Sequence, residues 1–300
     1  MNGMYLAIAG ALAAWLAALS VFTVRKFRHL FARQSNLGME YQRFRDREFN
    51  LMRIDLEKQK RKFDLLQESN KSSGSLRFRF TSQFSEDLVL YEFFRQQSPG
   101  FFVEAGAYDG VTFSNTYVLE MLGWNGLLVE PHPGLAKRCQ LQRPNCFVEQ
   151  KALGPADASG TIEFTCADDA NGGSPLSFTE ATQDHIDRCG QEGYSLRKIQ
   201  VEIASLDSML ENRTQVVDFL SLDVEGFELT ALQGFNLEIF RPQLLLIELN
   251  FDARDAAVTE HVGLFGYRAV GDVGCNRFFC REHDELRLKE AMRILYPGNN

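Results

Sequence analysis

Four acidic residues stand where apolar runs end. Glu104 lies in "FFVEAGAYDG", Glu130 in "GLLVEPHP", Asp223 in "FLSLDVEG" and Glu248 in "LLLIELN". A short apolar run that closes on a carboxylate reads as a buried strand delivering an acid to its carboxyl end, the edge where open parallel sheets bind ligands. After Glu104 the chain turns through Gly106 and Gly110, in the spacing ExGxxxG. The dinucleotide turn is GxGxxG, which brings a pyrophosphate against a helix amino terminus. Here Glu104 and Asp109 sit in the turn itself, and both would repel a phosphate. The pattern suits a ligand that carries cations and no phosphate.

S-Adenosylmethionine, with a sulfonium, an ammonium and a ribose diol, meets that description. Glu130, 24 residues after Gly106, is expected to accept the two ribose hydroxyls. Gly106 is expected to turn the chain off the strand at positive φ, and Gly110 to open room before the next helix. Tyr108, Asp109, Asn115 and His132 complete the candidate cofactor set with Glu104, Gly106, Gly110 and Glu130, and Ala152 and Leu153 are expected beside the adenine. Methyl transfer to an oxygen needs alignment and a base for an unactivated alcohol. Asp223 is the expected base, with Glu225 holding the substrate or Asp223 itself. The competing reading is that acids in this turn accept backbone hydrogens or cap the next helix. No metal is assigned; Asp223, Glu248 and Asn250 are the oxygen set that would suit Mg2+, unless hydrogen bonds alone space them. Asp207 reads as a helix cap.

The elements that must carry these residues alternate. Strands are expected at Phe101–Ala105, Leu127–Glu130, Cys146–Leu153, Val217–Asp223 and Leu244–Leu249. Helices are expected at Asn115–Leu122, capped by Ser114, and at Gly134–Gln142, Leu206–Glu211, Glu228–Gln233 and Ala256–Phe265. Gln83 and Asp87 fall in a helix before the first strand. This alternation predicts a mostly parallel α/β sheet with helices on both faces. "GYRAVGDVGCNRFFCRE" closes it as an antiparallel hairpin. Residues 154–200 fit least well and read as an insertion at the carboxyl edge.

The amino-terminal quarter is different in kind. Met4–Val24 holds no charged residue in 21 positions, enough for one transmembrane helix across a core of about 30 Å. Arg25, Lys26, Arg28 and Arg33 follow at once, so the positive-inside rule places the rest of the chain in the cytoplasm. Residues 25–75 form an expected basic helical stalk and linker, with 13 Lys/Arg against seven Asp/Glu. Its broken heptad pattern leaves a homodimer through the stalk open. The net charge of −8 therefore comes from the domain at 76–300, which argues against nucleic acid as a partner. The six cysteines form no CxxC pair and read as reduced core thiols.

Five segments in this order and spacing, "SQFSEDLVLYEFF", "FFVEAGAYDGVTFSNTYVLE", "GWNGLLVEPHP", "VDFLSLDVEGFELTALQGF" and "RPQLLLIEL", resemble the FkbM-type S-adenosylmethionine-dependent methyltransferases over about residues 81–280. In that family Asp usually stands at the position of Glu104, and Asn-Pro at that of His132-Pro133. The resemblance implies a class I methyltransferase (Rossmann-like) fold and methyl transfer to a hydroxyl of a sugar, glycan or other small molecule. The membrane segment makes a lipid-linked hydroxyl attractive. The resemblance also admits a chain that keeps the fold without catalysis, so a membrane interaction or trafficking module is the alternative.

Overall fold

Residues 78–168, 173, 177, 186, 189–191, 193–213, 216–249 and 253–295 are described by the computed structural model. The expected membrane span 4–24, the stalk 25–75 and Asn250 lie outside them. Among the described residues no helix is long and apolar enough to cross a membrane.

Strand β1 (Phe101–Ala105) runs parallel between β2 (Asn125–Val129) and β7 (Phe219–Leu222), with Glu104 opposite Leu128 on one side and Ser221 on the other. Outward from β2 lies β3 (Cys146–Glu149); outward from β7 lie β8 (Leu244–Glu248), β10 (Asn276–Arg281) and β9 (Tyr267–Val273). The order is thus β3-β2-β1-β7-β8-β10-β9, and β10 alone runs against its neighbours. The inner strands read as continuous apolar runs because both faces are covered. This is the expected mostly parallel sheet with its terminal antiparallel hairpin.

One face packs Val103, Ala105, Leu127, Val129, Leu220, Leu222, Leu245 and Ile247 against three helices, α4 (Leu206–Leu210), α5 (Glu228–Gln233) and α6 (Ala253–Leu264). The opposite face lies under α1 (Glu86–Phe94) and α2 (Tyr117–Met121), beside α3 (Pro133–Gln142) and α7 (Glu282–Met292). There Phe94 packs edge-on to Trp124, with ring centroids 4.7 Å apart, and reaches Phe219 at 6.2 Å. Arg287 lies over the Phe93 ring. Strand alternation puts Glu104, Ser221 and Asp223 on this second face together with Phe102 and Phe219.

Three expectations change. The strand Cys146–Leu153 is two strands: the chain leaves the main sheet after Glu149, and β4 (Ala152–Leu153) pairs with β6 (Ser195–Ala204) in a second sheet, order β4-β6-β5, with β5 at Thr161–Asp168. The break falls at Gln150-Lys151, where Lys151 bridges Glu149 and Glu202 in solvent. Gln83 precedes α1 rather than belonging to it, and is exposed. Ser205, not Asp207, caps α4; Asp207 instead accepts the Asn236 N–H at 2.8 Å, tying α4 to the turn after α5.

Phe94 is fully buried at the junction of α1 and the sheet. Phe94→Ala is expected to lower the unfolding free energy by about 3–5 kcal/mol, read from the urea midpoint at unchanged slope.

Candidate functional site

The turn after β1 is closed by its own backbone. Gly106 and Ala107 donate to the Val129 carbonyl at 3.0 and 3.2 Å, and Gly110 donates to Ala107 at 2.8 Å. Tyr108 N–H donates to Glu130 Oε2 at 2.9 Å. Val111 and Thr112 donate to Asp109 Oδ1 at 2.9 and 2.7 Å, and the Thr112 hydroxyl donates to Oδ2. Six N–H groups are therefore committed, three to the end of β2 and three within the loop, and are not open to an anion. Asp109 is accordingly a turn-former. It disfavours phosphate by occupying the donors rather than by presenting charge to a ligand.

Gly106 and Gly110 both lie at positive φ, +79° and +85°. A Cβ on Gly106 would fall 1.8 Å from the Asp223 carbonyl oxygen, so only glycine lets the β1 turn touch the end of β7. A Cβ on Gly110 would press on Cys139 and Arg143 of the α3 segment. Tyr108 and Phe113 are also left-handed, at +52° and +62°. Their near-parallel rings have centroids 6.5 Å apart.

Glu104 is turned inward and buried. It is the penultimate residue of β1, and its carboxylate turns under α2 rather than out of the turn. There it accepts from the Ser114 hydroxyl at 2.8 Å, Asn115 N–H at 2.7 Å and the Thr116 hydroxyl at 2.7 Å. The Arg143 guanidinium stands 3.5 Å away. Arg143 is fully buried. It pairs through Nε with Glu120, donates through Nη1 to the Gly110 carbonyl and Ser114, and through Nη2 to Thr116. Phe102 and Tyr117 rings flank it at 5.5 Å. Ser114, the expected cap, does accept the Tyr117 N–H at 3.1 Å, although α2 begins at Tyr117 and not Asn115.

Glu130 follows β2 directly and is almost fully buried. Besides Tyr108 it accepts the His132 N–H at 2.8 Å. Burial pushes its carboxyl up to about 8, against the pull of the His132 and Tyr108 N–H groups. Each oxygen holds one backbone donor and retains a lone pair. His132 has both ring nitrogens engaged: Nδ1 accepts from Gly134 and Leu135 as the cap of α3, and Nε2 meets Asp168 at 2.8 Å. Its ring therefore links α3 to β5. Ala152 and Leu153 are buried, Leu153 in the main core and Ala152 in the second sheet's core.

At the end of β7, Asp223 donates its N–H to the Ala105 carbonyl at 3.1 Å. Its carboxyl is raised well above the usual range by removal from water, by the Glu248 carboxyl with which it shares a hydrogen bond, and by Glu228 and Glu86. Glu86 is fully buried at the start of α1, accepting from Asn276 Nδ2 at 2.7 Å and Phe84 N–H at 2.8 Å. Glu228 accepts the Val224 and Gly226 N–H groups and so fastens the turn that leads into its helix. Glu225 lies between them at φ +53°. Among the described residues no group of three or more His, Cys, Asp or Glu could hold a metal ion. Asn115 donates its amide to Ser221 Oγ at 3.2 Å, while its Oδ1 is buried without a donor.

Residues 104–287 match the family model for the methyltransferase FkbM domain. The chain belongs to the FkbM methyltransferase family. Its sheet order fits a methyltransferase fold, and the family implies S-adenosylmethionine as methyl donor. No curated protein matches this FkbM chain in sequence. Among solved structures, the crystal structure of the small RNA methyltransferase HEN1 is 15% identical, with a TM-score of 0.30, over 72% of this chain and 28% of that one. The FkbM chain thus spans less than a third of that protein's length, and so distant a likeness carries no information about its acceptor.

Arg143, Glu120, Ser221, Glu228 and Glu86 are the residues that motif reading misses. Arg143 had a signal: it continues the Leu135, Cys139 spacing of four that marks the buried side of α3. Arg143→Met strips the cation from two buried carboxylates and is expected to destabilise the chain by about 3–5 kcal/mol, measured by urea unfolding. Double replacement of Arg143 and Glu120 by apolar residues is expected to recover part of that loss.

Proposed function

We propose that this FkbM methyltransferase transfers a methyl group from S-adenosylmethionine to a hydroxyl oxygen of a sugar, glycan or lipid-linked acceptor, from a domain held at a membrane by residues 4–24. The observation that carries the donor reading is Glu130, a buried carboxylate at the end of β2 with one open lone pair on each oxygen. A ribose diol supplies two donors in that arrangement. Two further observations fit the same molecule. The orphaned Asn115 Oδ1 calls for a donor such as an ammonium. Six N–H groups of the β1 turn are already taken, which disfavours a pyrophosphate there.

When bound, S-adenosylmethionine supplies an electrophilic methyl group on a sulfonium. Glu130 would hold the ribose and Asn115 the amino-acid end. The Gly106 turn lies between the end of β2, which carries Glu130, and the end of β7. Asp223 would accept the proton that an acceptor hydroxyl gives up, and its raised carboxyl favours holding one. Glu248 shares that proton through its hydrogen bond. Glu225 remains the residue of this turn best able to meet the acceptor.

The amino-terminal segment supports the membrane part of the reading: 21 uncharged residues followed by a basic cluster suit a single-pass anchor with a cytoplasmic domain. Methyl transfer confined to soluble metabolites, with none to lipid-linked glycans, would overturn the membrane-proximal acceptor.

Diol hydroxyls favour the ionised carboxylate. Donor affinity is therefore expected to rise as pH climbs through about 8, because Glu130 holds its proton below that value in the free site. Calorimetry on the full chain checks this. Glu130→Gln should weaken binding by about 10–100-fold, as loss of a charged hydrogen bond does, and flatten the pH dependence. An unchanged affinity would remove Glu130 from the site.

A further inference from the structure

Two phenylalanine rings among the described residues stand largely in solvent, Phe147 on the edge strand β3 and Phe113 in the loop after β1. Arg213 lies over the first, 4.7 Å from the ring centroid. Phe113 meets the Tyr108 ring at 6.5 Å and is otherwise turned outward, 47% exposed. Its backbone stands at φ +62°, where a bulky residue is strained and glycine is not. The surroundings hold it there. Phe113 forms a parallel bridge with Ser82, and Ser114 N–H donates to the Val111 carbonyl at 3.2 Å. The Thr81 hydroxyl donates to the Ser114 carbonyl at 3.0 Å. Ser114, Asn115 and Thr116, next in the chain, are all buried. A strained backbone that turns an aromatic ring out of buried surroundings points to a use beyond the fold.

The ring stands at the ligand edge of the sheet. On one side of it, Tyr108 N–H holds Glu130 at the end of β2. On the other, the segment of Ser82 runs on to Glu86, which accepts from Asn276 at the start of β10. Sheet order puts the ends of β1, β7 and β8 between those two anchors. The loop thus borders the edge that an acceptor for Asp223 must approach.

The rim of the ring says what kind of molecule suits it. Thr112 is exposed and Asp109 half-buried. The Thr112 hydroxyl donates to Asp109 Oδ2 at 2.8 Å, and both oxygens keep lone pairs for further donors. A pyranose offers C–H bonds on one ring face and hydroxyls around its edge. Those C–H bonds are weakly positive and suit the negative face of an aromatic ring. The hydroxyls suit Thr112 and Asp109. An anionic lipid headgroup would instead meet Asp109 on an acidic domain, and a lipid tail makes no use of that polar rim.

We infer that Phe113 is the platform on which the acceptor's pyranose ring stacks, with Thr112 and Asp109 binding its edge hydroxyls; this rests on the sugar or glycan reading of the acceptor given above. The loop after β1 then serves both substrates. Its buried part shapes the donor side, and its one outward ring selects the acceptor.

Saturation-transfer NMR tests this on the full chain, in a detergent without a sugar headgroup. The probes are methyl β-D-glucopyranoside, methyl β-D-galactopyranoside and methyl α-D-mannopyranoside, with dihexanoylphosphatidylcholine as the lipid probe. The expected result is transfer to the C–H protons of one face of at least one glycoside. Phe113→Gly is expected to weaken that binding about tenfold, the scale of one aromatic stacking contact, and Phe113→Tyr to keep it. Because glycine relieves the strain at φ +62°, the urea midpoint of Phe113→Gly is expected not to fall. Its calorimetric affinity for S-adenosylmethionine and its lipid signal are expected to match the wild type. Should the glycine variant not fold, Phe113→Leu, which keeps bulk and loses the ring, decides in its place. Glycoside binding that is the same with and without the ring would overturn the platform and leave the sugar acceptor standing. No transfer to any glycoside would overturn both. A parallel loss of donor affinity, or loss of the lipid signal alone, would give the ring to the donor or to lipid and overturn the platform as well.

Discussion

One buried cation organises the donor side of this domain. Arg143 lies with no solvent contact between Glu104 and Glu120, and its remaining donors reach Gly110, Ser114 and Thr116. A guanidinium in that position is tolerable only if every N–H finds an acceptor and its charge is matched. Two carboxylates and three neutral acceptors meet that demand, and they come from β1, from the loop after it and from α2. The same contacts fix the loop against α3. The turn at Gly106 to Gly110 therefore inherits its shape from a charge network beneath it, not from its glycines alone.

On the other side of β1 the electrostatics are inverted. Around Arg143 cation and anions are balanced. At the ends of β7 and β8, acids from four elements crowd together. Burial and that crowding raise the carboxyls of Asp223 and Glu86. A neutralised network under the turn ties it down, and beside it lies a cluster in which acid faces acid.

The acids at the strand ends were legible because a buried apolar run closing on a carboxylate has few explanations. Helix α5 is found at Glu228–Gln233 as expected, and β1 at Phe101–Ala105. Where each carboxylate points was not legible. Glu104 and Glu130 look alike in sequence, yet one still sits inside its strand, under a helix, while the other lies one residue past its strand. Their parity is the same, since Glu104 stands opposite Leu128, two residues before Glu130, so position along the strand rather than face separates a strut from an open acceptor. His132 illustrates a second limit: a histidine before Pro133 gives no sign that Asp168, 36 residues on, will take its Nε2. Strand β6 was legible only as a strand-like segment before Asp207, since charges such as Arg197, Lys198 and Glu202 on its exposed positions mask the alternation.

The contact of Gly106 with the Asp223 carbonyl also bears on how such a site can change over time. No side chain fits at position 106 unless β7 moves, and β7 cannot move without disturbing its neighbours in the sheet. Variation that leads to new acceptors is thereby pushed away from the sheet and onto outlying segments. The exposed Phe113 and the inserted strands around β5 are free to drift, while the inner turn stays frozen. Descendants of this sequence would be recognised by an unchanged floor beneath a changing rim.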